Sequence, residues 1–337
     1  MAAPLRWIGK ILKYGLLGLV LLLVCVGVWA RVVRRSDAKI PAPGRLVEVE
    51  PGRRMHLLCQ GEGRPTVVLE AGLGDHGWSS WSPVQPQIAS TSRTCSYDRA
   101  GTGWSDPPRV DPMPTAIVDD VRALLTAAGE PGPYILVGHS LGGPIVRHYA
   151  HRFPGEVAGL ILVDGSHEDQ LTRLPPLPKS AELVVSLLPA IHFLGLDRLT
   201  GAFVSDTAAL TQLARQASDA SVANTSWIYD HLAPFLAQAR DAGTSLGDIP
   251  LTVLTASSMA SPMLTPEQAA AFHRTWVTLH EEIATYSRKG TQRIVPNSTH
   301  YIQKDQPRAV IDAVTTMVTA WRSTAAATAP AATPVTR

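Results

Sequence analysis

The pattern of apolar and polar residues changes sharply along the chain, and it first marks a segment that is apolar on every side. No charged residue occurs from Tyr14 to Ala30. About 20 apolar residues in a helix span the hydrocarbon core of a bilayer. Trp7, Tyr14 and Trp29 lie near the ends of the segment, as interfacial aromatic residues do. The pattern predicts an N-terminal transmembrane anchor over residues 1–35.

A cleaved secretory signal is the alternative interpretation of this segment. Arg6, Lys10 and Lys13 would form its basic region. Two features favour an uncleaved anchor: the apolar run is long for a signal, and Val28-Trp29-Ala30 is a poor small-x-small cleavage site. Basic residues flank both ends, so the charge rule leaves the orientation nearly balanced.

After a Pro- and Gly-containing linker over residues 36–45, short apolar runs alternate with segments of helical period. Thr115–Ala128 carries apolar residues at helical spacing, Gly129 supplies a stop signal, and Gln306–Trp321 reads as a closing helix. Strands are predicted at 46–49, 54–59, 66–70, 94–97, 134–137, 157–163, 250–255 and 293–295. Alternating strands and helices predict an α/β fold with a mostly parallel, doubly wound sheet.

The alternation stops between residues 167 and 248. This stretch is rich in Leu and Ala, and it is broken by Pro175, Pro176, Pro178, Pro189 and Pro234. It predicts a helical cap inserted over the carboxyl edge of the sheet, between core segments 46–166 and 249–322. Residues 323–337 are mostly Ala, Thr and Pro without an apolar period, which predicts a disordered tail.

Composition narrows the class of protein. The chain has 337 residues, of which 45% are hydrophobic and 17% charged, and its net charge is +2. No basic stripe interleaved with aromatic residues occurs, so we expect no nucleic-acid partner. We also expect no metal or organic cofactor, because no His/Cys/Asp cluster has ligand spacing and no G-x-G-x-x-G follows the first strand.

The most informative motif is Gly138-His139-Ser140-Leu141-Gly142-Gly143, which lies between a predicted strand and a predicted helix. In a strand, G-x-S-x-G, helix pattern, the serine occupies a strained turn that exposes its hydroxyl. Gly138 and Gly142 lack a Cβ, so the turn can close. The helix N-terminus beside Ser140 favours developing negative charge. Ser140 is therefore the predicted nucleophile.

From about Leu46 to Arg322 the sequence resembles the α/β-hydrolase superfamily, in its serine esterase and lipase branch. Four motifs carry the resemblance in the expected order: Glu70-Ala71-Gly72-Leu73-Gly74, Asp98-Arg99-Ala100-Gly101-Thr102-Gly103-Trp104-Ser105, the Ser140 motif, and Asn297-Ser298-Thr299-His300. Ala71 stands where the first loop usually has histidine. The resemblance implies the α/β-hydrolase fold.

The resemblance also implies a base and an acid for Ser140. His300 follows the last strand, where the superfamily keeps its catalytic histidine, and histidine is the usual base near neutral pH. The loop that usually carries the acid, residues 256–261, has no carboxylate. Asp164, at the end of the preceding strand, is the leading acid, with Glu168 and Asp169 as alternatives.

Further site residues follow from the same resemblance. The backbone N–H groups of Leu73 and Leu141 would form the oxyanion hole. Glu70 would pair with Arg99 as a structural contact, because an unpaired buried charge is costly. Trp78, Trp81 and Trp104 would line an apolar substrate pocket, or would serve only to pack the loops.

In the implied fold, Cys59 and Cys95 lie on neighbouring strands. A disulfide between them is geometrically reasonable, with two buried free thiols as the alternative. Such a disulfide would place the domain in an oxidising compartment, which favours an extracytoplasmic catalytic domain.

These expectations describe a membrane-anchored serine hydrolase that cleaves a carboxylic ester, apolar or lipid-like, through an acyl-enzyme. Amidase, thioesterase and acyltransferase activities with the same residues remain open. A haloalkane dehalogenase or epoxide hydrolase is disfavoured, since those members carry an aspartate where Ser140 stands. An inactive hydrolase fold used as a binding module is the alternative from another class, and the missing acid in the usual loop is its support.

Overall fold

The computed structural model describes residues 3–37, 39–176, 218–260 and 264–328, together with isolated positions between 178 and 216. Within those residues the helices are α1 (Ala3–Asp37), α2 (Gly77–Trp81), α3 (Gln85–Ala89), α4 (Pro114–Ala128), α5 (Gly142–Arg152), α6 (Gln170–Arg173), α7 (Asp219–Asp230), α8 (Leu232–Asp241), α9 (Pro266–Ala284), α10 (Ile302–Asp305) and α11 (Pro307–Thr328). The strands are β1 (Arg45–Glu50), β2 (Arg53–Gln60), β3 (Thr66–Glu70), β4 (Thr94–Tyr97), β5 (Tyr134–His139), β6 (Val157–Val163), β7 (Leu251–Ala256) and β8 (Gly290–Val295).

The strands form one sheet in the order β1-β2-β4-β3-β5-β6-β7-β8. The pairs β1–β2 and β2–β4 are antiparallel, and the remaining pairs are parallel. The order reverses around β3, as a doubly wound sheet requires, so the carboxyl ends of β3 and β5–β8 share one edge. This confirms the predicted fold class.

Apolar clusters cover both faces of the sheet. On β5, Ile135 and Val137 belong to one cluster, whereas Tyr134 and Leu136 belong to the other. A strand buried on both faces reads as a continuous apolar run rather than as an alternation. The Tyr134–Val137 run in the sequence has this origin.

At the N-terminus, α1 is one continuous helix, and its segment Lys10–Asp37 contains an 18-residue stretch with a mean hydropathy of 2.6. Trp7, Tyr14 and Trp29 are exposed on it. Length and apolar composition make this segment a candidate membrane anchor or signal sequence.

The predicted cap, residues 167–248, lies partly outside the described residues. Its described parts include α6, α7 and α8, and strand β7 begins at Leu251. Asn224 on α7 donates from Nδ2 to the Ala100 carbonyl oxygen at 2.5 Å. The Gly103 N–H donates to Ser221 Oγ at 3.2 Å. These bonds hold α7 against the loop that follows β4.

The prediction of a disordered tail is wrong for residues 323–328, because α11 continues to Thr328. Ser323 and Thr324 donate their hydroxyls to the carbonyl oxygens of Thr319 and Ala320, one helical turn back. Alanine has the highest helix propensity of the residue types, and residues 325–327 are all alanine. The helix therefore continues there without burying an apolar face. Residues 329–337 lie outside the described part of the chain.

The structure joins Cys59 and Cys95 in a disulfide. The two residues are directly opposite each other on the antiparallel pair β2–β4. Glu130 lies close to both sulfur atoms, but it is paired with Arg45 and Arg93. Sulfurs joined to each other do not ligate a metal, so this cluster is a structural crosslink.

Candidate active site

Ser140 occupies the turn between β5 and α5 at the carboxyl edge of the sheet. Its φ is 51°, in the left-handed region that few residues other than glycine adopt. A Cβ atom on Gly138 would lie 2.5 Å from the Gly142 carbonyl oxygen, so the turn closes only with glycine there. The Ser140 carbonyl oxygen accepts hydrogen bonds from the N–H groups of Gly143 and Ser166. The serine therefore sits on the strained, tightly bonded elbow that its motif predicts.

Asp164 is the first residue after the neighbouring strand, β6. His139 and Val163 are paired across β5 and β6, and the Ser140 N–H donates to the Val163 carbonyl oxygen at 3.2 Å. Asp164 also has a left-handed backbone, with φ 49°, and is fully buried. The parallel register thus places Ser140 and Asp164 side by side, one residue beyond their strands.

His300 reaches the same place from the loop after β8. Its Nδ1 donates to Asp164 Oδ2 at 2.7 Å, and one third of its side chain is exposed. His139 Nε2 donates to the His300 carbonyl oxygen at 2.9 Å, and the two rings are 4.8 Å apart. The residue before the nucleophile therefore fixes the backbone of the histidine loop.

The carboxylate of Asp164 is held by more than His300. Its Oδ1 accepts hydrogen bonds from the Ala256 N–H and from Trp276 Nε1, each at 2.9 Å. Burial opposes ionisation, but the hydrogen bonds from His300 and from the Ala256 N–H, with His280 also close by, outweigh it and keep the pKa of Asp164 below its usual range. Asp164 is therefore an ionised acceptor for the His300 N–H.

His280 supports the loop that follows Asp164. Burial lowers the pKa of His280 to about 4, so the ring is neutral. Its Nε2 lies 2.8 Å from the Gly165 carbonyl oxygen, and its Nδ1 lies 2.8 Å from Thr255 Oγ1. A carbonyl only accepts, so Nε2 carries the proton and Nδ1 accepts from the threonine hydroxyl.

The sequence did not identify Trp276 or His280 as part of this site. The two lie four residues apart on α9, on the same face of the helix. Their signal in the sequence was this i, i+4 spacing of a tryptophan and a histidine. That signal alone does not say which acid they serve.

The structure separates Asp164 from the alternative acids. Glu168 is paired with the buried Arg147 at 2.6 Å. Asp169 is paired with Arg240 at 2.6 Å, outside the site. Of the three carboxylates weighed for the site, Asp164 is the one whose side chain contacts His300.

The loop after β3 lies against the nucleophile. A Cβ on Gly72 would be 2.9 Å from His139 Nδ1 and 3.2 Å from Ser140 Cβ, so a larger residue fits only if the loop shifts. Arg99 fixes the loop by donating to the carbonyl oxygens of Ala71 at 2.7 Å and Gly72 at 2.5 Å. The predicted pairing of Arg99 with Glu70 is also present, in the buried interior.

Leu73 follows Gly72 directly, and Leu141 is the N-cap residue of α5. Among the described residues, neither backbone N–H donates to a protein acceptor. Both amides lie in segments that flank Ser140, so both N–H groups are available to a ligand there. The N-terminal end of α5 adds a favourable field for an anion.

The three tryptophans do not form the predicted pocket as a set. Trp81 is fully buried in the core and meets the His139 ring edge-on, so the pocket assignment is wrong for it. Trp78 and Trp104 pack edge to face, with ring centres 6.0 Å apart. Trp104 donates from Nε1 to the Ile40 carbonyl oxygen at 2.9 Å, which ties the linker to this loop.

A second buried histidine–aspartate pair lies near the site, and its contacts indicate a structural role. His56 Nδ1 is 2.8 Å from Asp98 Oδ2, and both side chains are fully buried. The N–H groups of Gly77 and Trp104 also donate to the Asp98 carboxylate. Asp98 therefore organises the loop after β4.

The geometry brings together a serine on a strained strand-to-helix turn, a half-buried histidine and a fully buried aspartate, an arrangement typical of hydrolases. A family model described as alpha/beta hydrolase fold matches residues 65–198. A thermophilic esterase from Thermogutta terrifontis superposes with a TM-score of 0.59 at 19% identity, covering 83% of this chain and 99% of that one. The chain therefore has the α/β-hydrolase fold.

Curated relatives match over a part of their length. An uncharacterized Mycobacterium tuberculosis protein is 33% identical over 165 residues, which cover 46% of this chain and 47% of the relative. An uncharacterized Schizosaccharomyces pombe protein is 28% identical over 190 residues, covering 48% of this chain and 36% of the relative. The match thus spans less than half the length of these two relatives.

Proposed function

We propose that this protein is a membrane-anchored serine hydrolase that cleaves a carboxylic ester through an acyl-enzyme on Ser140. The observation that carries the proposal is the 2.7 Å contact of His300 Nδ1 with the ionised Asp164, beside a serine held at φ 51°. A serine at this elbow directs the chemistry to acyl transfer.

In the first half of the reaction, His300 Nε2 takes the proton of the Ser140 hydroxyl as its oxygen attacks the ester carbonyl carbon. Asp164 keeps the proton of the resting imidazole on Nδ1 and stabilises the imidazolium that forms. The oxyanion of the tetrahedral intermediate accepts hydrogen bonds from the Leu73 and Leu141 amides. One such donor contributes on the order of 3 kcal/mol. His300 then gives its proton to the leaving alkoxide, and the acyl group stays on Ser140.

In the second half, His300 removes a proton from water, which attacks the acyl carbon. The bond to Ser140 breaks, the proton returns to the serine oxygen, and the free acid leaves. The same residues support amide or thioester cleavage, and an alcohol in place of water would give acyl transfer. Ester hydrolysis asks less of the site than amide hydrolysis, because an alkoxide is a better leaving group than an amide nitrogen.

The membrane part of the proposal rests on α1, whose apolar segment is long enough to span a bilayer. The Cys59–Cys95 disulfide supports an extracytoplasmic position for the catalytic domain, because such bonds persist in oxidising compartments. A thiol-reactive reagent that cannot cross membranes, added to intact cells after reduction of the disulfide, tests this. Labelling of Cys59 or Cys95 is expected, and labelling only after lysis contradicts the orientation.

The reaction is tested by hydrolysis of p-nitrophenyl esters over a range of acyl lengths. Wild-type protein is compared with Ser140→Ala, which removes the nucleophile without adding atoms to the elbow. Release of nitrophenol by wild type alone, with added alcohols failing to divert the acyl group, supports a hydrolase. Equal rates for the two proteins contradict the proposal.

A further inference from the structure

One face of α1 is covered by the rest of the protein, and this covering extends deep into the apolar segment. The positions on this face recur every three or four residues and are buried or half-buried: Leu23, Val26, Gly27, Ala30, Val33, Arg34 and Asp37. Ala30 is fully buried. We call these seven residues the covered face.

The cap supplies the contacts to the covered face that the described residues include. Arg34 Nε lies 3.3 Å from Asp219 Oδ1 at the start of α7, and Arg34 Nη1 donates to the His192 carbonyl oxygen at 3.4 Å. A Cβ on Gly27 would lie 4.0 Å from the Leu194 carbonyl oxygen. The cap backbone therefore lies within van der Waals reach of the helix at Gly27.

The covered face conflicts with a cap that stays wholly in water. If the membrane began below Leu23, the helix left to span it would run from Ile11 to Leu22, with Lys13 inside it. At a rise of 1.5 Å per residue these twelve residues reach about 18 Å, far short of a hydrocarbon core of about 30 Å. With α1 spanning fully, the stretch from Ala30 back to Leu23 lies as much as about 10 Å below the end of the uncharged run. The cap backbone at Leu194, which contacts Gly27, lies about 5 Å below that end.

The cap has the surface that such a position requires. Leu183 and Leu187 are both helical, four residues apart, and their side chains are 59% and 46% exposed. The sequence from Leu183 to Leu196 contains no Asp, Glu, Lys or Arg. Elements that lie in a membrane interface bury an apolar face about 5–10 Å deep, which matches the depth of the covered face.

The same part of the cap also borders the candidate site. Thr225 on α7 packs against the loop after β3, where a Cβ on Gly74 would be 3.4 Å from its Cγ2. Gln216 Nε2 donates to Asp75 Oδ1 at 3.1 Å, one residue further along that loop. The cap thus lies between α1 and the loop that flanks Ser140.

We infer that the cap is inserted in the membrane interface beside α1, and that the site takes carboxylic esters dissolved in the bilayer. The insertion rests on the covered face and the exposed leucines, and the substrate class rests on the proposed ester hydrolysis. An ester whose acyl chain lies in the bilayer would reach Ser140 along the cap without crossing water.

Insertion is measured without reference to activity. The full chain carries Cys25→Ser, to remove the free thiol, and Leu187→Cys labelled with a nitrobenzoxadiazole fluorophore. It is reconstituted in phosphatidylcholine–phosphatidylglycerol vesicles with nitroxide-labelled lipids. Ile294→Cys is the matched control, because Ile294 is also 46% exposed but lies on the edge strand β8. We expect the nitroxide-labelled lipids to quench the fluorophore at position 187 and not the fluorophore at position 294. A probe at 187 that only aqueous iodide quenches overturns the insertion.

The substrate class is measured by a ratio of activities. The full-length double variant Leu183→Glu/Leu187→Glu is compared with Ile294→Glu on a vesicle-embedded long-chain ester and on p-nitrophenyl acetate. Placing charges on an inserted face should lower kcat/KM for the embedded ester on the order of tenfold relative to the soluble ester. Equal loss on both esters overturns bilayer access. If wild type cleaves neither ester, the proposed hydrolysis fails, while quenching at position 187 still decides the insertion.

Discussion

Replacing Asp164 with asparagine tests the division of labour in the site, because its surroundings dictate how the amide must sit. Asp164 Oδ1 accepts from two donors, the Ala256 N–H and Trp276 Nε1. The asparagine carbonyl oxygen must keep that position, so its NH₂ group takes the place of Oδ2 and donates to His300 Nδ1. His300 then carries its proton on Nε2 and cannot accept one from Ser140.

The wrong tautomer and the lost charge together should lower kcat by on the order of 10³–10⁴-fold. The assay is p-nitrophenyl ester hydrolysis by the full chain, with circular dichroism and thermal unfolding to show that the fold is kept. Asp169→Asn is the control, because Asp169 pairs with Arg240 outside the site. If kcat of Asp164→Asn stays within about tenfold of wild type, the assignment is refuted, because a tenfold loss corresponds to only about 1.4 kcal/mol of activation free energy.

Three further predictions concern the support of the site. Gly72→Ala should lower kcat by about 10²-fold with a small change in Tm, because a Cβ 2.9 Å from His139 Nδ1 and 3.2 Å from Ser140 Cβ displaces the loop after β3; unchanged kinetics would argue against the role proposed for that loop. The Cys59–Cys95 bond links residues 36 positions apart, and its reduction should lower the free energy of unfolding by about 2–4 kcal/mol, as measured by chemical denaturation. An equal denaturation midpoint with and without reductant would contradict this. Burial opposes ionisation of Asp98, but the hydrogen bond with a histidine holds the pKa of the Asp98 carboxyl below its usual range. The ionised carboxylate therefore stabilises the fold above about pH 4, and this stability is lost as the pH falls further. Acid titration of Asp98→Asn should show a shallower fall in unfolding free energy, and a slope equal to wild type would refute it.

The sequence predicted the elements whose signal is local. Apolar runs between turn residues located all eight strands, although β8 begins at Gly290 rather than Arg293. The start of β8 was missed because its residues alternate between half-buried and exposed on an edge strand. The G-x-S-x-G pattern located Ser140 for the same reason, since the glycines and the turn are neighbours in the chain.

The contacts around Asp164 could not be predicted to the same depth. The choice among three acids depends on register between β6, β7 and the loop after β8, which are far apart in sequence. Trp276 is 112 residues from Asp164, and nothing in its local sequence marks it as a donor to a carboxylate. Trp81 was misassigned because a tryptophan in a loop-like segment has the same signal whether it faces a ligand or the core.

The central claim, an acyl-enzyme on Ser140, is tested most directly by a fluorophosphonate probe followed by peptide mass spectrometry of the full-length protein. Wild type should be labelled at Ser140, Ser140→Ala should not be labelled, and His300→Ala should react far more slowly. Folded, monodisperse wild-type protein that fails to label, or that labels elsewhere, would contradict the account and favour a binding module on a hydrolase fold.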